Sequence, residues 1–312
     1  MSNTDAESRL ARAASGASGA GLSPAGTGAG QGLGRRFASL VKLEHTVFAL
    51  PFAYVGMLLA LGEAPAAADW LWVTLAMVGA RTLAMGLNRL IDAEVDARNP
   101  RTASRELPAG TLSRAQVLAL CAGALALFLV AIFQLDPLVR WLWPVPVVFF
   151  VVYPYLKRVT WLCHLWLGAS LGLAPVGAWA AVTGELPWQA WVLGGAVALW
   201  VAGFDFFYSL FDLAHDREQG LHSWATRFGE PGVFRGARVF HVTTVALLAL
   251  AGFGLDVGLL YWLGVAAVAA LLGYEHSLVR PGDLRRLNAA FFTVNGVISI
   301  VFLGFVLADV LL

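Results

Sequence analysis

A row of oxygen-bearing side chains near residue 90 has the composition and spacing of a metal site. Asn88, Asp92 and Asp96 follow one another at four-residue intervals, so a helix would place all three on one face. Carboxylates at this spacing repel one another unless cations lie against them. Oxygen ligands without cysteine suit a hard cation such as Mg²⁺, which commonly shares its coordination shell with substrate phosphates.

A second acidic row lies further along the chain. Asp205, Asp212 and Asp216 are separated by seven and four residues, and one helix would again gather them on one face. Two such rows could supply oxygen ligands from both sides of a cavity that holds a diphosphate. The alternative is that the rows are solvated helix ends paired with neighbouring arginines, and the presence of two matching rows favours the metal site.

The elements that position these rows are expected to be helices in a lipid bilayer. The 312-residue chain is 59% hydrophobic and 13% charged, with a net charge of +1 and a mean hydropathy of +0.71. Soluble domains carry roughly a quarter charged residues, and nucleic-acid binders need a basic face, so both classes are excluded. Cys121 and Cys163 lie in apolar runs without the spacing of a disulfide framework or a cysteine metal site.

Nine apolar segments are candidates to cross about 30 Å of hydrocarbon. They are residues 45–62, 70–91, 115–135, 141–156, 159–184, 186–204, 239–255, 257–274 and 287–308. The segments lack the alternation of barrel strands, so we predict an all-α integral membrane protein with nine transmembrane helices. Residues 35–312 form this membrane domain, and residues 1–34, rich in Gly, Ala and Ser, are expected to be a disordered tail.

Lysine and arginine are distributed unevenly between the two sides of this bundle. Of the 21 Lys and Arg residues, 19 fall in the tail and in the loops after the second, fourth, sixth and eighth helices. Arg140 lies on the opposite side, and Arg81 lies within the membrane. Because loops rich in Lys and Arg face the cytoplasm, we expect a multi-pass protein of the cell (inner) membrane. Its N-terminus and both acidic rows would be cytoplasmic.

Four stretches together resemble the UbiA family of membrane prenyltransferases. NRLIDAEVD fits NxxxDxxxD and DLAHD fits DxxxD, while NPRTASRELPAG and YPYLKRVT, with Tyr153 and Lys157 as YxxxK, are also similar to that family. The resemblance covers roughly residues 36–312. It implies the UbiA-type nine-helix bundle and transfer of a polyprenyl chain from its diphosphate to an acceptor, often an aromatic ring in ubiquinone or menaquinone synthesis.

The resemblance also implies roles for individual residues. Mg²⁺ would hold the diphosphate between the two motifs, with its ligands drawn from Asn88, Asp92, Asp96, Asp212 and Asp216. Asp205, one helical repeat deeper, would support the metal shell or act on the acceptor. Lys157 with Arg101 or Arg105 would donate hydrogen bonds to phosphate oxygens. Tyr153 is expected to contact the diphosphate, with an interfacial tyrosine as the alternative.

Within the family, the sequence most resembles the 4-hydroxybenzoate polyprenyltransferase branch. The phrases NPRTASRELPAG and GLHSWATRFG are similar to relatives that act on a hydroxynaphthoate in the futalosine route to menaquinone. The implied acceptor is therefore an aromatic hydroxy acid, either 4-hydroxybenzoate or a hydroxynaphthoate. The implied donor is a polyprenyl diphosphate that arrives through the bilayer, and Mg²⁺ is the implied cofactor.

An acidic acceptor calls for a cation near the cavity. Arg81 lies seven residues before Asn88, on roughly the same helix face, and would cost at least ~2.5 kcal/mol if it faced lipid. We expect it to face the cavity and to bind the acceptor carboxylate or to pair with an acid such as Asp205. His45 is a further candidate for the acceptor, with an interfacial hydrogen-bonding role as the alternative. We interpret His164 as a packed polar residue of the fifth helix.

Two other functions fit parts of the same pattern. Prenyl transfer to an acceptor of the haem, chlorophyll or lipid type would use the same aspartate motifs. An ion-coupled secondary transporter would also carry acids in its helices and a half-chain repeat. Both acidic rows lie at one membrane face and not at the midplane, which favours the enzyme.

Overall fold

The structure is a computed structural model that describes residues 32–41, 46–280, 282 and 293–312. Regular secondary structure in these residues is all helical, in agreement with the predicted class. The predicted tail lies outside the described residues except at its end, where α1 (Leu33–Val41) begins two residues before the predicted boundary. His45 also lies outside them.

The helices follow one another with short connections. They are α2 (Thr46–Leu61), α3 (Ala67–Arg98), α4 (Arg114–Ile132), α5 (Pro137–Leu142), α6 (Pro144–Leu156), α7 (Cys163–Thr183), α8 (Trp188–Tyr208), α9 (Leu213–Glu218), α10 (Trp224–Phe253), α11 (Leu259–Leu278) and α12 (Asn295–Leu311). Capping side chains fix several of these starts. Ser113, for example, accepts a hydrogen bond from the amide of Gln116, whose side chain accepts one from the amide of Ser113.

Seven helical segments of the described chain are long and apolar enough to cross a membrane. They are Ala67–Arg98, Arg114–Ile132, Pro137–Leu156, Cys163–Thr183, Trp188–Glu218, Trp224–Phe253 and Leu259–Leu278. Two shorter apolar helices, Ala49–Leu61 and Asn295–Leu311, overlap the first and last predicted spans. The structure thus contains a multi-helix apolar bundle, and the count of nine crossings stays a prediction.

The helices pack into two groups that share α2 and α7. In one group α2, α7, α8, α10, α11 and α12 pack in a closed cycle around a core that includes Trp200, Leu193 and Phe302. In the other, α3 packs against α2, α4 and α6, and α6 packs against α7. Helix α3 carries the first acidic row, α8 carries Asp205 of the second row, and α6 and α7 pack between these two helices.

Close packing of α7 against α8 depends on glycine. A Cβ built on Gly168 would clash with the carbonyl oxygen of Ala198, and one built on Gly172 would clash with that of Gly194. Small residues at this spacing let helix backbones approach closely in membranes. This contact fixes the distance between His164 on α7 and Asp205 on α8.

The second acidic row does not lie on one continuous α-helix, and that prediction was wrong in detail. Helix α8 ends at Tyr208, residues Ser209–Asp212 form a 3₁₀ turn, and α9 follows. The Ser209 hydroxyl donates a hydrogen bond of 2.7 Å to the carbonyl of Phe206 where the helix tightens. The turn changes the helical register before Asp212 and Asp216, yet both still face the same cavity as Asp205.

Candidate active site

A polar cavity of about 190 Å³ lies where α3, α6, α7 and α8 meet. Its polar and charged lining residues are Asn88, Asp92, Asp96, Asn99, Arg101, Thr102, Arg105, Tyr153, Lys157, Arg158, His164, Asp205, Tyr208, Ser209, Asp212, His215, Asp216 and Ser223. The structure therefore gathers both acidic rows and the basic residues named from the sequence around one hollow. Among the predicted site residues that the structure describes, Arg81 is not part of its lining.

The first acidic row is tied to basic side chains. Both carboxylate oxygens of Asp96 lie 2.7 Å from Nη1 of Arg105, and Nη2 of Arg158 donates to Oδ1 of Asp92 at 3.2 Å. The amide nitrogen of Asn88 donates to the other oxygen of Asp92 at 3.1 Å. The row thus lies on one face of α3 as predicted, and its charges are offset by cations from two connecting segments.

The connection after α3 folds back so that its arginines reach the cavity. Thr102 Oγ1 donates to the carbonyl of Asp96 at 3.0 Å, and the amide of Arg101 donates to Oδ1 of Asn99 at 3.0 Å. An Asx-type turn of this kind holds the chain without a regular helix. The segment NPRTASR therefore folds back over the end of α3 and places Arg101 and Arg105 beside the cavity.

The second acidic row is paired in the same manner. Arg101 makes a two-point contact with Asp212, Nε to Oδ1 at 2.9 Å and Nη2 to Oδ2 at 2.6 Å, and Nδ2 of Asn99 donates to Oδ1 at 3.2 Å. Nζ of Lys157 lies 2.8 Å from Oδ1 of Asp216, which is fully buried. The first arginine-rich connection and the α6–α7 turn therefore clamp the second motif.

The basic partners of this row remain charged. Burial lowers the pKa of Lys157, but Asp216 and Asp212 outweigh burial and raise that pKa above its ordinary value. Burial likewise opposes the charge of Arg101, whereas Tyr208 and Asp212 raise its pKa. Both side chains therefore stay protonated through neutral and mildly alkaline pH and can donate to phosphate oxygens.

Asp205 has a different partner. Its Oδ2 lies 2.6 Å from Nδ1 of His164. His164 is buried, and the sequence analysis interpreted it only as a packed polar residue. The imidazole is indeed packed, edge to face with Phe206 at a centroid distance of 5.5 Å. It also lines the cavity, and its Nε2 has no hydrogen-bond partner among the described residues.

Divalent cations fit the charge of this cavity. Five aspartates and four Lys and Arg side chains line it, so carboxylates already match these permanent cations before any diphosphate enters. A further anion is stable there only when added cations accompany it. Asp216 supplies a suitable ligand, since it is buried and its Oδ2 has no hydrogen-bond partner in the described chain. All donors of the two motifs are oxygens, the ligands that Mg²⁺ prefers.

The carboxylates are not yet arranged as a coordination sphere. Among the described residues, no three His, Cys, Asp or Glu side chains lie close enough together to hold one metal ion. The reason is that Arg101, Arg105, Lys157 and Arg158 lie against the acids. Ligation by the predicted set therefore requires these cations to turn from the carboxylates towards an incoming anion, and the set itself stays a prediction.

A second, apolar cavity of about 300 Å³ lies deeper along the same helices. On α3 it is lined by Ala84, one turn from Asn88 of the polar cavity, and on α7 by Leu171, two turns from His164. Arg81 is the charged residue among its described lining, and Nε of Arg81 has no hydrogen-bond partner there. Pairing of Arg81 with Asp205 is not observed, because Asp205 contacts His164.

Sequence reasoning missed several residues of this site. Arg158, Asn99, Tyr208 and His164 all line the polar cavity. Arg158 directly follows Lys157, and Asn99 lies three residues after Asp96. Both residues could therefore have been predicted from their position next to the motifs. Tyr208 accepts a hydrogen bond of 3.1 Å from Arg101 and also stacks beneath its guanidinium, which no spacing rule indicates.

Comparison with known proteins identifies the family. The sequence profile of the UbiA prenyltransferase family matches residues 49–297. The chain belongs to the UbiA prenyltransferase family. It is 30% identical over 284 residues to the 4-hydroxybenzoate octaprenyltransferase of Vibrio campbellii, covering 88% of this chain and 94% of the relative. It is 35% identical over 227 residues to the 4-hydroxybenzoate solanesyltransferase of Synechocystis, covering 70% and 75% respectively.

Solved structures of UbiA homologues share the fold. The apo UbiA homologue from Aeropyrum pernix superposes with a TM-score of 0.77 at 32% identity, over 86% of this chain and 98% of that one. The Archaeoglobus fulgidus homologue, solved with DMAPP and Mg²⁺, superposes with a TM-score of 0.71 at 18% identity, over 88% and 99%. This chain is thus a membrane enzyme of the UbiA prenyltransferase family.

Proposed function

We propose that this UbiA-family enzyme transfers a polyprenyl group from its diphosphate to an aromatic hydroxy acid in quinone biosynthesis and that the reaction depends on Mg²⁺. The observation that carries the proposal is the polar cavity, where both aspartate motifs face four basic side chains. The names of the relatives, 4-hydroxybenzoate octaprenyl- and solanesyltransferases, support the substrate class. Either 4-hydroxybenzoate or a hydroxynaphthoate meets this description.

The reaction exchanges one bond for another. The bond between the allylic carbon and the diphosphate oxygen breaks, and its electron pair leaves with the diphosphate. A ring carbon of the acceptor forms a carbon–carbon bond to the allylic carbon, and a base such as the released diphosphate then takes up the ring proton at that position. The protein must stabilise the leaving anion and exclude water from the allylic cation.

The polar cavity provides the first of these functions. Bound Mg²⁺ supplies the positive charge that stabilises the leaving diphosphate. Asn88, Asp92, Asp96, Asp212 and Asp216 are the residues that would hold it. Arg101, Arg105, Lys157 and Arg158 would then donate to phosphate oxygens instead of to the carboxylates they now contact, and Tyr153 lies in the same wall.

The apolar cavity provides the second function. Its walls are aliphatic and aromatic side chains, including Phe128, Trp143 and Phe150, which exclude water and can stabilise an allylic cation through their ring faces. Arg81 lies among them without a hydrogen-bond partner for Nε in the described chain. A buried cation in apolar surroundings favours an anionic ligand, so we assign Arg81 to the carboxylate of the acceptor.

The test is product analysis by mass spectrometry. Membranes containing the enzyme receive Mg²⁺, a polyprenyl diphosphate and either 4-hydroxybenzoate or a dihydroxynaphthoate. We expect a prenylated aromatic acid with the wild-type chain and none with Asp92→Ala, which should remain folded and membrane-inserted. Transfer only to haem, chlorophyll-type or lipid acceptors would overturn the proposed substrate class. Undiminished transfer by both Asp92→Ala and Asp212→Ala would overturn the role of the two motifs.

A further inference from the structure

One acid of the polar cavity is paired with an imidazole and not with a lysine or arginine. The four aspartates of the two motifs each contact an arginine or lysine. Asp205 on α8 instead contacts His164 on α7, with its Oδ2 at 2.6 Å from Nδ1 of the ring. This pair therefore differs from the rest of the site and calls for a function of its own.

The contact with Asp205 determines the protonation of the ring. A carboxylate at 2.6 Å favours the charged imidazolium, because the opposite charges stabilise each other. In the imidazolium both nitrogens carry a proton, so Nδ1 donates to Asp205 and Nε2 is a second donor. Nε2 is buried and has no hydrogen-bond partner among the described residues, although His164 lines the cavity. A buried donor left unpaired is costly, which points to a ligand as its partner.

The ring is held in place on several sides. Phe206 packs against it at 5.5 Å, nearly perpendicular, and α7 approaches α8 closely at Gly168, four residues after His164. The hydrogen bond to Asp205 fixes the remaining rotation about the Cβ–Cγ bond. An imidazolium fixed in this way is a preorganised donor and not a mobile side chain.

The polar cavity and the apolar cavity meet at a defined level of the bundle. On α3, Asn88 lines the polar cavity and Ala84 the apolar one, and on α6, Tyr153 lines the polar cavity and Phe150 the apolar one. Each pair of residues is about one helical turn apart. A polyprenyl diphosphate with its phosphates in the polar cavity and its chain in the apolar cavity therefore has its allylic carbon–oxygen bond at this boundary.

His164 lies at the same boundary. Trp166 stacks on Phe149 at a centroid distance of 4.3 Å and donates a hydrogen bond of 3.0 Å to its carbonyl. Because a short turn joins α6 to α7 and this contact spans both, the two helices run in opposite directions. His164, two residues before Trp166, is therefore level with the part of α6 between Phe149 and Tyr153, where one cavity ends and the other begins.

We propose that Nε2–H of His164 donates a hydrogen bond to the diphosphate oxygen that carries the allylic carbon. The proposal rests on the proposed function and adds a catalytic residue to it. When the carbon–oxygen bond breaks, its electron pair goes to this oxygen, so the hydrogen bond strengthens as the charge develops. The proton stays on the ring. A hydrogen bond to the acceptor hydroxyl oxygen would instead withdraw electron density from the ring carbon that must attack.

Two variants of equal charge separate this role from a structural one. His164→Asn keeps an amide N–H near the position of Nδ1, and so the contact with Asp205, but has no group at the position of Nε2. His164→Gln places an amide N–H near the position of Nε2 and so keeps the donor. Size-exclusion profiles and thermal unfolding in detergent establish that both variants fold.

The measured quantities are the transfer rate and the affinity for inorganic pyrophosphate in the presence of Mg²⁺. Pyrophosphate is the leaving group, and it carries on this oxygen the charge that the intact donor lacks. We expect His164→Asn to lower kcat on the order of 10²-fold and to raise the pyrophosphate Kd about 10-fold in calorimetric titrations. The KM values for donor and acceptor should be unchanged, because the hydrogen bond is strong only after charge develops. His164→Gln should recover about 10-fold of the lost rate and most of the lost affinity.

The contrary results are equally specific. Undiminished kcat in folded His164→Asn, or equal losses in both variants, would overturn the role of His164. A raised acceptor KM with an unchanged pyrophosphate Kd would also overturn it and would assign the ring to the acceptor. Failure of the wild type to prenylate any hydroxy acid would overturn the proposed function instead. The calorimetric comparison needs no acceptor, so it tests His164 independently of that failure.

Discussion

Two regions of the bundle hold buried acids, and they treat them differently. In the polar cavity, four aspartates each face an arginine or lysine. In a second region, which we call the glutamate cluster, Glu275 on α11 accepts a hydrogen bond of 3.1 Å from Asn295, and Asn295 accepts one of 2.7 Å from Trp200. His241 and His276, 3.1 Å apart, complete the cluster.

The difference shows what each region is built to do. The partners in the polar cavity are flexible cations on connecting segments, so they can move to an incoming anion and leave the carboxylates to other cations. Glu275 on α11 contacts the amide of Asn295 on α12 and the ring of His241 on α10, and Trp200 on α8 bonds to Asn295, so the cluster ties four helices together. Acids are buried in both regions, but the partners Lys157 and Arg101 are about one third exposed, whereas Asn295 beside Glu275 is fully buried. An incoming ligand can therefore reach the charged side chains of the polar cavity, whereas the groups of the glutamate cluster are enclosed by the helices that they join.

The largest expected effect comes from changing one carboxylate to an amide in each region. Asp212→Asn should reduce prenyl transfer on the order of 10³-fold, because the cavity loses a ligand for the cation that stabilises the leaving group. Glu275→Gln makes the same chemical change in the glutamate cluster, keeps an acceptor oxygen for Asn295, and should leave transfer unchanged. Initial rates per folded enzyme decide the comparison. Equal loss in both variants would erase the functional distinction between the regions.

Asn295→Ala should affect stability and not chemistry. The change removes the shared partner of Trp200 and Glu275 and leaves buried polar atoms unpaired, at a cost of about 1–3 kcal/mol for each. We expect a lower unfolding temperature in detergent with unchanged KM values for donor and acceptor in the folded fraction. A raised donor KM without loss of stability would assign the glutamate cluster to the active site.

The smallest expected effect concerns the packing that joins the regions. Gly168→Ala would place a Cβ against the carbonyl oxygen of Ala198, so α7 and α8 must separate, at about 1–3 kcal/mol. Gly177→Ala is the matched control, since a Cβ there meets nothing within 4 Å and alanine favours the helix. Thermal unfolding should fall for the first variant and hold or rise for the second. The opposite order would contradict the close α7–α8 contact.

Much of the fold and of the site was predictable from the sequence, for physical reasons. Apolar runs of membrane length leave little choice but helices, and the interval of four residues between Asn88, Asp92 and Asp96 places them on one face of any helix. The second row was predicted to share the cavity, and it does so at Asp205, Asp212 and Asp216. Its role as part of a metal site stays a prediction.

The parts that escaped prediction depend on tertiary contacts. The 3₁₀ turn at Ser209–Asp212 follows from a local hydrogen bond that competes with the helix, and periodicity does not report it. The pairing of His164 with Asp205 joins residues 41 positions apart on different helices. A single histidine in an apolar run gives no sign of its partner, so its place beside the cavity could be found only from the structure.

We propose that the cavity binds a diphosphate only together with divalent cations, because five carboxylates line it and already occupy its four Lys and Arg side chains. Calorimetric titration of the purified enzyme in detergent with a polyprenyl diphosphate, with and without Mg²⁺, tests it directly. We expect saturable binding with Mg²⁺, none without it, and loss of the Mg²⁺-dependent signal in the double variant Asp92→Asn/Asp212→Asn. Binding of equal strength without Mg²⁺, or unchanged binding in the double variant, would contradict it.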